Sequence, residues 1–281
     1  MNNEIRISLI SLFPEFKNVL QVQSVLSDSS WNAPLSTGKL LELASLLFVC
    51  KSFKSLGATL EIPDLYSNKP HLFYLRNEIP LQHSAQAGHS ATLNFEVELV
   101  DRYIAAFTPK VIIKINNKFL YIMREGNPIH ELEKAMKYET EYKDRPDIGI
   151  YSGEVYVSTD KKTINVISKN EITEAHFSLE ARNTTVIPLI SYHEKGEYHT
   201  TTNGIIECST NKNTYQADSQ LKKYIGIFDN HSNTTVTALF VNGGENKSNY
   251  LTLNVDMNDL INSFSSLETK NKILKFIELI V

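Results

Sequence analysis

Asp147, Lys169 and Glu171 are the residues of this sequence whose types and spacing could do chemistry together. Asp147 follows Arg145-Pro146 and stands directly ahead of the apolar run Ile148 to Tyr151, which puts it at a strand mouth. Lys169 and Glu171 follow a second strand-like run, Thr163 to Ser168, with the polar turn Thr159 to Lys162 between the two. Folding about that turn carries Asp147 toward the stretch Ser168 to Glu174. Carboxylates that share a site favour a hard divalent cation, because the metal offsets their mutual repulsion. A lysine beside them can hold an attacking water or a phosphate oxygen, while the metal lowers the water's pKa and stabilises charge developing on phosphorus. Such a set suits phosphodiester hydrolysis.

Glu96 is the further candidate. The spacing predicts a helix over 91–107, on which Phe95, Val97, Leu99, Val100, Tyr103 and Ile104 form one broad apolar arc. Glu96 falls inside that arc, whereas Glu98, Asp101 and Arg102 take the polar face. A carboxylate turned toward a core needs a partner, a proton or a metal. A buried arginine or a backbone cap would satisfy Glu96 equally well. Asp160-Lys161-Lys162 also spells acid-x-Lys, but it falls at the predicted hairpin tip, where a solvated turn is the simpler reading.

The order of Glu96, Pro146-Asp147 and Thr163-Ile-Asn-Val-Ile-Ser-Lys169-Asn170 resembles the PD-(D/E)XK nucleases, a superfamily that includes many type II restriction endonucleases. The resemblance covers residues 88–195, and the segment from Gly88 to Tyr103 looks like the first core helix of such enzymes. It implies that Asp147 is the motif aspartate, Lys169 the motif lysine and Glu96 the helical acid. Where the family places an acid two residues before the lysine, this sequence has Ile167, so Glu171 or Glu180 must replace it. The implied metal ligands are then Asp147, Glu96, Glu171 and Glu180. The implied cofactor is Mg²⁺, with Mn²⁺ able to substitute. The implied partner is double-stranded DNA, and the implied assembly a homodimer cutting both strands. A degenerate, non-catalytic nucleic-acid-binding protein of the same fold is the alternative, and Ile167 is the residue that favours it.

The elements that must position these residues read as α/β, a mixed central β-sheet flanked by helices with a restriction-endonuclease-like core. A helix is expected from Pro34 to Leu56, capped by Ser36 or Thr37 and stopped at Gly57. A strand follows at 58–62, then a loop-rich stretch to Gly88. Val111 to Ile115 and Phe119 to Met123 should pair around Asn116-Asn117, with a helix from Pro128 to Tyr142 after them. Residues 148–158 read as one long strand bent at Gly153, followed by the strand 163–168, a helix over 172–182 and a strand over 186–191. Strands near 204–208, 235–241 and 250–255 precede one or two helices from Met257 onward. The divisions expected are 1–87 as a helical and loop region, 88–195 as the nuclease-like core, and 196–281 as strands and helices of the same domain.

A chain of 281 residues with 42% hydrophobic and 21% charged residues can bury a full core and shows neither low complexity nor repeats. Its net charge of -4 argues against nucleic-acid binding, which draws on a basic face, although a nuclease can balance a basic cleft with acidic outer surfaces. The longest apolar run, Leu40 to Cys50, is broken by Glu42 and flanked by Lys39 and Lys51, too short and too charged to span a bilayer. No basic start or small-residue cleavage site marks a secretion signal, so the expected location is cytoplasmic, with no membrane partner. Cys50 and Cys208 are too few for a disulfide framework and are not spaced as a zinc site. The eight histidines form no zinc pattern, and nucleotide-binding and hydrolase-elbow motifs are missing.

Overall fold

Asn116 and Asn117 both adopt positive φ, 49° and 61°, the backbone a two-residue hairpin turn demands, and the flanking strands pair Ile115 with Lys118 as expected. The structure, a computed structural model, describes residues 2–14, 35–61, 71–76, 79–85, 89–92, 96–97, 102–107, 110–124, 145–152, 154–160, 163–168, 184–194, 197–210, 214–231, 235–243 and 250–281.

In chain order the helices are α1 (Asn2–Leu12), α2 (Thr37–Ser55), α3 (Thr214–His231), α4 (Leu260–Ser265) and α5 (Leu267–Ile280). The strands are β1 (Thr59–Glu61), β2 (His71–Arg76), β3 (Ile79–Ala85), β4 (His89–Thr92), β5 (Glu96–Val97), β6 (Arg102–Phe107), β7 (Val111–Ile115) and β8 (Lys118–Arg124). They continue with β9 (Ile148–Ser152), β10 (Glu154–Asp160), β11 (Thr163–Ser168), β12 (Thr184–Glu194), β13 (Glu197–Thr200), β14 (Thr202–Ser209), β15 (Thr237–Asn242) and β16 (Leu251–Asn254).

A seven-stranded mixed sheet in the order β1-β7-β8-β9-β14-β15-β16 organises the chain. Its first five strands run antiparallel, and β14, β15 and β16 are mutually parallel. Helices cover both faces. On one, α1, α2, α4 and α5 pack with Ile113, Ile122, Ile150, Ile206, Leu239 and Leu253. On the other, α3 places Ala217, Leu221, Tyr224 and Phe228 against Ile205 and Phe240. The four α3 residues recur at helical spacing in an otherwise polar stretch, a legible stripe absent from the sequence reading. No described helix is long and apolar enough to cross a membrane.

The expected helix before β1 forms as α2. The Ser36 hydroxyl accepts from the Lys39 N–H, and Gly57, at φ 87°, ends it by donating to the Lys54 carbonyl while Ala58 donates to that of Phe53. Residues 40 to 50 of α2 are all buried, Glu42 included. Its apolar character on every side suits a helix pressed between the sheet and its neighbours.

The helix expected over 91–107 does not form. β4, β5 and β6 occupy that span, in a second sheet of order β4-β3-β2-β6-β12-β10-β11-β5, with β13 beside β12. Arg102–Phe107 pairs with His71–Arg76 on one side and with β12 on the other, so a non-local ladder overrides the local period. β2 and β3 likewise stand where loops were expected before Gly88. The span read as one bent strand is two strands in two sheets: β9 lies between β8 and β14, whereas β10 lies between β11 and β12. The expected helices over 128–142 and 172–182 lie outside the described residues.

Candidate active site

One end of the seven-stranded sheet collects polar residues from every central strand. Lys110 precedes β7, Arg124 ends β8, Asp147 precedes β9, Glu207 and Ser209 close β14, and Asn242 closes β15. Glu207, Ser209 and Asn242 are buried. Burying this many polar groups at one end costs stability unless each is satisfied, which makes this end the place to look for function.

Asp147 is where the sequence put it, at a strand mouth. Pro146 is buried beside it and has no N–H to extend the β9 ladder. Asp147 Oδ2 takes the place of a ladder carbonyl and accepts the Cys208 N–H at 2.8 Å. Ile148 pairs with Ile206 in the antiparallel β9–β14 ladder, and extending that register by one sets Asp147 opposite Glu207. Opposed residues share a face of the sheet, with Cβ atoms roughly 5 Å apart.

Glu42 enters from α2 on the other side. Arg124 donates to its Oε2 through Nε at 3.0 Å and Nη2 at 2.8 Å, and Lys39 Nζ lies 3.1 Å from both carboxylate oxygens. The Glu42 and Arg124 side chains are 9% and 8% exposed, so the pair is desolvated and held by charge-assisted bonds. Glu42 is thus an inward helical acid satisfied by an arginine, the arrangement that was one of the alternatives for Glu96.

The Cys208 side chain faces α2, with Sγ 3.4 Å from Ser45 Oγ, which itself donates to the Leu41 carbonyl. Burial pushes the thiol well above its ordinary pKa, Asp147, Glu42 and Glu207 push it further, and the Ser45 bond opposes them. Cys208 is therefore held as a neutral thiol and is no nucleophile at neutral pH.

Against protein-family models, curated proteins and solved structures, the chain has no match.

Of the other sequence candidates, Glu96 lies in β5, where it pairs with Thr163, and not on a helix. Lys169, Glu171 and Glu180 lie outside the described residues. β11, which leads to Lys169, borders β10 and β5, whereas the strand entered by Asp147 borders β8 and β14. The hairpin register invoked to bring Asp147 and Lys169 together joins β10 to β11 and does not include β9. Sequence reading missed Glu207 and Glu42 as site residues. Glu42 carried a signal, a lone carboxylate inside the run Leu40 to Cys50; Glu207 carried a weaker one, an acid closing the apolar Gly204-Ile-Ile. Among the described residues, no group of three or more His, Cys, Asp or Glu side chains is placed to hold a metal ion.

Proposed function

We propose that this chain is a metal-dependent nuclease hydrolysing phosphodiester bonds in double-stranded DNA, with a restriction-endonuclease-like core built on the seven-stranded sheet. The observation that carries the reading is the Asp147 carboxylate accepting the Cys208 N–H at the mouth of β9, where the β9–β14 register, extended by one from Ile148 and Ile206, sets Glu207 opposite. Asp147 and Glu207 replace the set Asp147, Lys169 and Glu171 as the proposed centre. Glu207-Cys208-Ser209 places an acid two residues before Ser209, the position where the resemblance expects lysine.

The chemistry of the donors is that of a Mg²⁺ or Mn²⁺ site: carboxylates are hard oxygen ligands, and the one soft donor nearby, Cys208, is kept protonated. Asp147 and Glu207 would hold the ion, which supplies a lowered pKa to a bound water and charge to offset the phosphoryl oxygens. The Cys208 N–H orients Asp147, and the buried Glu42–Arg124 pair braces the α2 side of the strand ends. Double-stranded DNA as partner, a homodimer as working unit and a cytoplasmic location belong to the same proposal.

Ser209 favours a second reading, a nucleic-acid-binding protein whose site no longer cuts. The test is incubation of the purified chain with diverse duplex DNA in Mg²⁺ or Mn²⁺ and in excess chelator, together with Mn²⁺ titration of the protein alone. Cleavage that the chelator stops supports the nuclease. DNA binding with no cleavage selects the second reading, and cleavage indifferent to chelator ends the metal assignment.

A further inference from the structure

We propose that Tyr151 is a positioning residue for the Asp147–Glu207 site, its hydroxyl donating a hydrogen bond that orients the Glu207 carboxylate toward a divalent cation. The inference rests on the metal-dependent reading of those two acids. Tyr151 is 1% exposed, and its hydroxyl has no hydrogen-bond partner among the described residues. A buried hydroxyl left unsatisfied is costly, and phenylalanine would fill the same space without it. Packing therefore explains the ring of Tyr151 and not its oxygen. Burial pushes the phenol well above its ordinary pKa, so the hydroxyl keeps a proton to donate.

The ring aims that hydroxyl at the site. A Cβ on Gly149 would meet the Tyr151 hydroxyl together with Cζ and Cε2, so the phenol lies back over Gly149, on the way from Tyr151 to Asp147. Gly149 pairs with Ile205 of β14, and Ile205 packs with α3 alongside Phe240, which lies opposite Glu207 in the β14–β15 ladder. Tyr151, Gly149, Ile205 and Glu207 thus share the α3 face of the sheet. From the Gly149 position, where the hydroxyl stands, the diagonal to the Glu207 Cβ is about 7–8 Å, a span that a glutamate side chain and one hydrogen bond cover. Glu207 is itself buried, where a carboxylate needs donors or a cation. The donated bond forms as Glu207 turns toward β9 to share the cation with Asp147. Donors behind a metal ligand fix its orientation, and their loss costs about 10–100-fold in metal affinity.

The experiment compares wild type with Tyr151→Phe, measuring the urea midpoint of the metal-free chain and Mn²⁺ affinity by isothermal titration. Tyr151→Phe should leave the midpoint unchanged or raised, because the hydroxyl makes no bond that the fold needs, and should weaken Mn²⁺ binding about tenfold. A merely structural role would move the midpoint and not the affinity. Unchanged Mn²⁺ affinity in the folded variant overturns this inference alone and leaves Asp147 and Glu207 as the proposed ligands. A lowered midpoint also overturns it, since the hydroxyl would then serve the fold. Wild type that takes up no Mn²⁺ overturns the metal reading of Asp147 and Glu207, and the role of Tyr151 falls with it.

Discussion

The Asp147 carboxylate accepts the backbone N–H of Cys208 at 2.8 Å, across 61 residues of sequence, and so completes a ladder that Pro146 cannot continue. One side chain thereby closes the β9–β14 pairing, at the position that the register sets opposite Glu207. Its structural and chemical roles are separable by substitution.

Asp147→Asn keeps an acceptor for Cys208 and should cost less than about 1 kcal/mol, whereas Asp147→Ala strands that N–H and should cost about 1–2 kcal/mol. Both should abolish cleavage. Denaturant unfolding and DNA cleavage, measured side by side, check this, and an Asn variant that cuts at the wild-type rate removes Asp147 from the chemistry.

Glu207→Gln should lose Mn²⁺ binding and cleavage together while the seven-stranded sheet persists, because glutamine nearly matches its volume and lacks its charge. Isothermal titration with Mn²⁺ and circular dichroism are the readouts. Retained metal affinity would contradict the pairing of Glu207 with Asp147.

Arg124→Met leaves Glu42 buried beside Lys39 alone and should destabilise the fold by about 3–5 kcal/mol. Adding Glu42→Leu should recover most of that loss, since a well-packed apolar pair often equals a buried ion pair. Recovery of stability without recovery of DNA cleavage would show that the ion pair matters beyond packing.

Lys110 sets a pH dependence whose sign is fixed. The folded chain releases this proton near pH 8, because burial and Arg124 oppose the charge, while the unfolded chain keeps it to about 10.5. Between those values the unfolded chain binds more protons, so this group's contribution to stability rises with pH through the window. Among the described residues the charge acting on it is that of Arg124, which itself pairs with Glu42. At about 1.4 kcal/mol per pH unit, discounted for partial exposure, the gain is on the order of 1–2 kcal/mol. Wild type minus Lys110→Met, by urea melts from pH 7.5 to 10.5, should show that rise. A flat difference would mean Lys110 keeps an ordinary pKa.

Gly149 has no side chain because the Tyr151 ring occupies the space a Cβ would need. Gly149→Ala should cost about 1–3 kcal/mol, and the penalty should shrink when Tyr151 is replaced by Leu, which removes the clash. An additive double-mutant cycle would contradict that contact.

The sequence by itself determined the local features: the α2 helix with its Ser36 cap and Gly57 stop, the Asn116-Asn117 hairpin, the mixed sheet with helices, and the strand mouth of Asp147. These depend on neighbours a few residues away, whose capping bonds, turn dihedrals and alternation are written in order along the chain. Only the tertiary structure decided which strand lies beside Asp147. The hairpin of β10 and β11 was legible, but nothing local shows that β9 and β10 belong to different sheets, nor that β14, far along the chain, brings Glu207 to the site. The stretch 91–107 satisfies a helical period as well as a strand's, and the ladder partners of Arg102–Phe107 settle it. Pairing between distant strands is chosen by the burial of whole faces, and that free energy belongs to no single stretch of sequence.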